Sequence, residues 1–174
     1  MLAGARDDTG GFLNVAGLRV ESPDRIAPLA AEQLGRNTTL AIVATNQSGI
    51  ARGIISLTEY EAVAARTAEL LAEGGGRIDA QFFCPHAPEI SGHCDCRKPD
   101  VGLYRQADAR FAIDLARSVW IGDRMRDIEP ARTLGGTGIL VRTGLGASEA
   151  PAAAAAGYAV VADVDAAVER ALGG

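Results

Sequence analysis

All three cysteines of this 174-residue chain, and both of its histidines, fall within thirteen residues, and that clustering limits how the chain around them can fold. Phe82 to Pro99 reads FFCPHAPEISGHCDCRKP, which sets Cys84, His86, Cys94 and Cys96 as C-x-H followed by C-x-C. Thiolate sulfur and imidazole nitrogen are the donors of a closed, four-coordinate zinc site, which holds loops that have no core of their own. Pro85, Pro88 and Gly92 keep this segment from extending as a helix or a strand, so something other than a hydrogen-bond ladder must fix it. A zinc clip does so. The other readings are free thiols packed beside a surface histidine, or a disulfide, which would leave one cysteine over and find Cys94 and Cys96 too close to pair comfortably.

Arg97, Lys98 and Pro99 follow the last of these donors directly. A planar guanidinium fork and an ammonium on the rim of a rigid loop suit the grip and neutralisation of a phosphoryl group, although a solvated basic pair would look the same in isolation.

With 48% hydrophobic residues, the chain has enough apolar mass to bury one core, and a single domain over residues 1–174 is expected. The net charge of −5 and the lack of a basic run argue against nucleic acid or an anionic membrane as partner. No apolar run reaches the ~18 residues of a membrane span and no leader pattern is visible, so a cytosolic monomer is expected, in keeping with reduced thiolates.

Leu40–Ala44 (LAIVA), Ile78–Phe83, Ser118–Ile121, Thr137–Val141 and Tyr158–Val161 are short apolar runs of the kind that form strands buried on both faces. Between them, Ser56 and Glu59 form a capping-box pattern ahead of Leu57, Tyr60, Val63, Ala64, Thr67, Leu70 and Leu71 at helical spacing. Gly102–Phe111, residues 125–134 and Asp163–Leu172 also read as helices, with Pro130 expected to kink the second of these. Residues 1–20 form no clean element, and Ala152–Ala156 reads as a low-complexity patch. Strands alternating with helices predict an α/β fold with a parallel sheet covered on both faces, and ligands in such sheets gather at the carboxyl ends of the strands. That rule brings Thr45, Asn46, the metal loop with Lys98, and Asp123 to one edge.

A strand-end hydroxyl, an amide, a lysine and the acid pair of Gly122-Asp123-x-x-x-Asp127 are the parts of a magnesium-assisted phosphoryl-transfer site. Asp123 would hold the hard cation through oxygen, Thr45 would hydrogen-bond the phosphoryl group, and Lys98 would balance the charge that develops on it. Each part alone also has a plain reading, as a strand end or a turn residue.

VATNQSGIARG (Val43–Gly53), CPH…CDCRKP (Cys84–Pro99) and IGDRMRDIEPA (Ile121–Ala131) together resemble the haloacid dehalogenase superfamily, and within it the zinc-loop histidinol-phosphate and heptose bisphosphate phosphatases. The resemblance runs from about Asn14 to Gly144. It implies a three-layer Rossmann-like fold with no large cap domain, whose zinc loop shapes the pocket. It also implies Thr45 as the phosphate-binding threonine, Lys98 as the phosphate-balancing lysine, Asp123 as a magnesium ligand, and Cys84, His86, Cys94 and Cys96 as the zinc ligands. Asn46, Gln47, Arg52 and Arg97 would face the substrate, a small sugar phosphate such as a heptose 1,7-bisphosphate that is cut to the 1-phosphate, or histidinol phosphate.

The chain departs from that family at its first motif, Asp-x-Asp-Gly-Thr, whose first aspartate attacks phosphorus and whose second moves the proton. Overlaying Ala5-Arg6-Asp7-Asp8-Thr9 puts alanine at the nucleophile. Overlaying Asp8-Thr9-Gly10-Gly11-Phe12 keeps Asp8 as nucleophile and magnesium neighbour but puts Gly10 at the acid/base position, and this register continues without a gap into Leu13-Asn14-Val15. The second register predicts an enzyme lacking general acid/base assistance, worth about a hundred- to ten-thousand-fold in rate. The first predicts a pseudo-phosphatase that binds sugar phosphate without turnover.

Overall fold

The computed structural model describes residues 14–16 and 39–172. Its strands are β1 (Asn14–Ala16), β2 (Leu40–Asn46), β3 (Ala80–Cys84), β4 (Ser118–Gly122), β5 (Thr137–Val141) and β6 (Ala159–Val161). They form one sheet in the order β3-β2-β1-β4-β5-β6. The helices are α1 (Ser48–Ala51), α2 (Leu57–Glu73), α3 (Pro88–Ser91), α4 (Gly102–Phe111), α5 (Met125–Leu134), α6 (Gly146–Ala155) and α7 (Val164–Leu172).

Alternation along the buried strands gives the sheet two apolar faces, and each face takes its own helices. Leu40, Ile42, Ala44, Trp120 and Leu140 point to one side, where they pack against Leu103 and Ala107 of α4, Ile128 and Ala131 of α5, and Ala150 and Ala153 of α6. Ile121, Ile139 and Val141 point to the other, against Val164, Ala167 and Val168 of α7. On that second face Tyr60 of α2 meets Phe83 with ring centroids 4.5 Å apart. The three-layer α/β architecture expected from the sequence is thus the one observed.

The pairs β2–β3, β4–β5 and β5–β6 are parallel, as expected. β1 is the exception. It fills the central slot between β2 and β4 and runs antiparallel to both, with Asn14 opposite Ile42, Ala16 opposite Leu40, and Val15 opposite Val119. Three residues are too few to carry a periodic signal for such a strand, and its direction is set by pairing with distant segments.

The Ser56 capping box is present: Glu59 N donates to Ser56 Oγ at 3.2 Å, and Ser56 N donates to Glu59 Oε2 at 2.7 Å. The apolar stripe behind it is less buried than its spacing suggests. Tyr60 anchors α2, while Val63 is 65% exposed and Leu70 and Leu71 lie at the surface. α5 runs on through Pro130, which is buried inside it, and ends at Gly135 in the left-handed region. Most of the alanine-rich stretch after Pro151 is helical, in α6.

Leu103 is fully buried in the cluster that joins β2, β4 and α4. Leu103→Ala should therefore cost about 2–5 kcal/mol in chemical denaturation, whereas Val63→Ser on the exposed stripe should stay within about 0.5 kcal/mol of the parent.

Candidate active site

Two strand ends and one loop build the site. β2 ends in Thr45 and Asn46, and β4 leads through Gly122 into Asp123, so both deliver polar side chains at the carboxyl edge of the sheet. Thr45, Asn46, Ser48, Lys98, Asp123 and Asp127 are all buried there. So dense a set of buried polar groups is stable only if the groups satisfy one another.

Lys98 is the hub. Its Nζ donates to the carbonyl of Ala44 at 2.7 Å and lies 2.6 Å from Asp127 Oδ1, an ionic contact outside good hydrogen-bond angles. Burial pulls the lysine below its usual pKa, and Asp127 opposes that pull. Burial likewise pushes Asp127 above the usual carboxylate range, and Lys98 holds it back. Asn46 fixes the lysine's backbone, donating Nδ2 to Lys98 O at 3.1 Å and accepting Lys98 N at Oδ1 at 3.0 Å. The sequence reading made Asn46 a substrate contact. The structure engages both ends of its amide in holding Lys98.

Asp123 sits one helical turn before Asp127 and close enough to act on Lys98 electrostatically. Its Oδ2 accepts Leu145 N at 2.8 Å, while its Oδ1 is buried with no donor among the described residues. Two glycines make room for these acids. A Cβ on Gly144, where φ is +59°, would lie 2.3 Å from Asp123 Oδ2, and one on Gly122 would lie 2.4 Å from Asp127 Cβ. Asp127 was visible in the sequence as half of an acid pair but carried no assigned role. Its spacing in G-D-x-x-x-D was the only signal, and i,i+4 acids are common on helices.

Thr45 Oγ1 accepts Gln47 Nε2 at 3.1 Å, so the Gln47 side chain turns onto the threonine. Beyond β2, Gln47 N donates to Cys84 O at 2.7 Å and Ala51 N to Pro85 O at 3.1 Å, which laces the loop after β2 to the start of the metal loop. Arg52 contacts Glu89 and Ser48, and Arg97 Nη1 donates to His86 O at 3.2 Å. Asp8, the sequence candidate for nucleophile and second magnesium contact, lies outside the described residues.

The four donors predicted from spacing do come together. Cys84 and Cys94 Sγ are 3.6 Å apart, Cys84 Sγ and His86 Nδ1 3.7 Å, Cys94 and Cys96 Sγ 3.4 Å, Cys84 and Cys96 Sγ 3.0 Å, and His86 Nδ1 and Cys96 Sγ 3.2 Å. The edges of a tetrahedron built on metal bonds of ~2.0–2.3 Å are ~3.5–3.8 Å, so the cluster fits a four-coordinate metal ion with slight expansion. Burial pushes the Cys84 and Cys96 thiols up, and a cation is what would stabilise their thiolates.

Known proteins resemble this chain in sequence and fold. The HAD-hyrolase-like family model matches residues 95–167. D-glycero-beta-D-manno-heptose-1,7-bisphosphate 7-phosphatase of Pseudomonas aeruginosa is 46% identical over 60% of this chain and 57% of its own length. The proteins of the same name from Pseudomonas putida and Bordetella bronchiseptica are 42% and 39% identical, over 66% and 73% of their lengths. The chain thus spans under two thirds of the first two relatives. Among solved structures, D,D-heptose 1,7-bisphosphate phosphatase from B. bronchiseptica, complexed with magnesium and phosphate, superposes with a TM-score of 0.69 at 38% identity, covering 75% of this chain and 73% of that one. A putative HAD-like phosphatase from Mesorhizobium loti gives 0.56 at 33% identity, covering 72% and 62%. With this sheet, this polar edge and this cysteine–histidine cluster, and with 39% identity across 73% of the Bordetella protein, the chain belongs to the heptose-1,7-bisphosphate 7-phosphatase family of HAD-like proteins.

Proposed function

We propose that the protein is a magnesium-dependent phosphomonoester hydrolase acting on a sugar phosphate, with D-glycero-D-manno-heptose 1,7-bisphosphate cut to heptose 1-phosphate as the reaction its family membership favours. One observation carries the reading: Lys98, held by Ala44 O, Asn46 and Asp127, lies at the strand edge that also presents Thr45 and Asp123. Magnesium fits at Asp123, whose Oδ1 is a buried carboxylate oxygen without a donor, and when bound there it would neutralise phosphoryl oxygens. Zinc suits the three thiols and one imidazole of the loop, as a structural ion that touches no substrate.

The chain's own groups then have separable tasks. Thr45 accepts from Gln47, so its hydroxyl proton is available to a phosphoryl oxygen. Lys98 places one N–H group on Ala44 O and pairs ionically with Asp127, which leaves N–H groups available to balance charge in the transition state. Asp127 opposes the loss of charge that burial imposes on that ammonium. In the Asp8 register the carboxylate of Asp8 would form the bond to phosphorus as the P–O bond to the sugar breaks, the departing sugar oxygen would take its proton from solvent because Gly10 offers none, and water would then hydrolyse the acyl phosphate to free Asp8 and phosphate. A cytosolic monomer accords with this reading. Among the described residues no helix is long and apolar enough to cross a membrane.

The direction of β1 favours a second reading, binding without turnover. By the resemblance the nucleophile follows the first strand, whereas β1 here ends at Ala16 opposite Leu40, the end of β2 away from Thr45. Incubation with heptose 1,7-bisphosphate and magnesium separates the two. Release of phosphate that is abolished by Asp123→Asn supports the hydrolase; binding of the bisphosphate with no release supports the second reading; absence of both defeats the site assignment.

Elemental analysis should find one zinc per chain, and chelation should lower the melting temperature by about 5 °C or more; zinc-free protein of unchanged stability would contradict the clip. Asp127→Asn leaves a buried ammonium unpaired and should destabilise by about 3–5 kcal/mol, while the double replacement Lys98→Met with Asp127→Leu should be markedly milder.

A further inference from the structure

We infer that Glu89, a metal-loop residue that does not hold the ion, is a positioning residue for Arg52, and through it sets affinity for the non-transferred phosphate of a bisphosphorylated sugar. The inference rests on the sugar-phosphate reading above.

Arg52 Nε and Nη2 both lie 2.8 Å from Glu89 Oε1, and Nη1 donates to Ser48 Oγ at 3.1 Å. Ser48 is buried beside the Thr45 cradle, while Glu89 belongs to α3 in the metal loop. The guanidinium therefore spans the two walls of the site. A guanidinium carries five N–H groups. Nε and Nη1 each spend one, on Glu89 and Ser48, and Nη2 lies within ionic reach of Glu89, so N–H groups on the terminal nitrogens remain for a phosphate.

Stability does not account for the pair. The two side chains are 32% and 54% exposed, and an ion pair so placed contributes little. Nor is it needed to join the loops, because the backbone bonds from Gln47 N to Cys84 O and from Ala51 N to Pro85 O already do that. What the carboxylate does is restrict a long, rotamer-rich side chain before ligand arrives, so that less ordering is left for binding. Glu89 stays charged for this task, since its own backbone amide and then Arg52 hold its carboxyl below the usual range. Thr45 and Lys98 serve the phosphoryl group that is cut. Arg52, four residues beyond Ser48 and paired with Glu89 of the metal loop, is a separate cation of the kind a second phosphate on the same sugar requires.

Calorimetric titration of the full chain with magnesium present tests this with two probes. Heptose 1-phosphate keeps only the non-transferred phosphate and is not consumed; inorganic phosphate reports on the cradle alone. Glu89→Gln should weaken heptose 1-phosphate about two- to fivefold, leave inorganic phosphate and the melting temperature unchanged, and add nothing when Arg52 is already alanine. Glu89→Asp should recover part of the loss. Unchanged heptose 1-phosphate affinity in Glu89→Gln, or a parallel loss for both probes, overturns the positioning role while leaving the sugar-phosphate reading intact. If the parent protein binds neither probe, that reading falls, and this inference falls with it.

Discussion

The site depends on keeping one ammonium group charged inside the protein. Moving such an ion out of water costs several kcal/mol even after relaxation, and the cost is offset only where an opposite charge and well-placed acceptors meet it. For Lys98 these are Asp127 from α5 and the carbonyl of Ala44 from β2, with Asn46 locking the lysine's own backbone. Each comes from a different part of the chain. Displacing β2, the metal loop or α5 leaves a buried charge uncompensated, so the interaction that makes the site chemically useful also fixes the relative placement of three segments.

The loop carrying Lys98 could not hold its place by backbone pairing alone. It leaves β3 at Cys84, makes one short helical turn, and returns through Cys94 and Cys96 to Arg97. Two things anchor it. Cys84 and Leu103 belong to the same buried cluster as Trp120, which ties both ends of the loop to the core, and the four clustered donors of its middle are ones a metal ion would cross-link. A set of soft donors and an apolar cluster thus flank the lysine, while the carboxylates stand on the other side of it, so sulfur and oxygen donors are kept apart.

Much of this was legible in the sequence because it rests on local pattern. Cys84, His86, Cys94 and Cys96 announce their purpose by residue type and spacing; the apolar runs of β2, β4 and β5 fit strands buried on both faces; Ser56 and Glu59 mark the start of α2. Other features depend on what lies across the fold. Asn46 reads as a strand-end amide until Lys98 is seen against it. Asp127 is one helical acid among several until its carboxylate meets the ammonium. Val63, Leu70 and Leu71 have the spacing of a buried face, yet α2 lies over the edge strand β3, where the sheet offers too little surface to cover them. The alanines of α6 lack a periodic contrast, so only packing against β5 reveals the helix.

The reversal of β1 bears on catalysis through topology. In a parallel sheet the residues that follow a strand emerge at its carboxyl edge, where the site lies. β1 runs the other way: Asn14 pairs with Ile42, nearer to Thr45, and Ala16 pairs with Leu40 at the far end. The chain thus enters β1 from the edge that holds Thr45 and Asp123 and leaves it at the opposite edge. A nucleophile borne by this strand's connections must come from residues that precede Asn14 rather than from those that directly follow Ala16. Both overlays of the first motif lie on that preceding side, and of the two only the one using Asp8 supplies a carboxylate at the attacking position. A degenerate first motif beside Thr45, Lys98 and Asp123 therefore puts the weight of the hydrolase reading on one acidic residue upstream in the sequence.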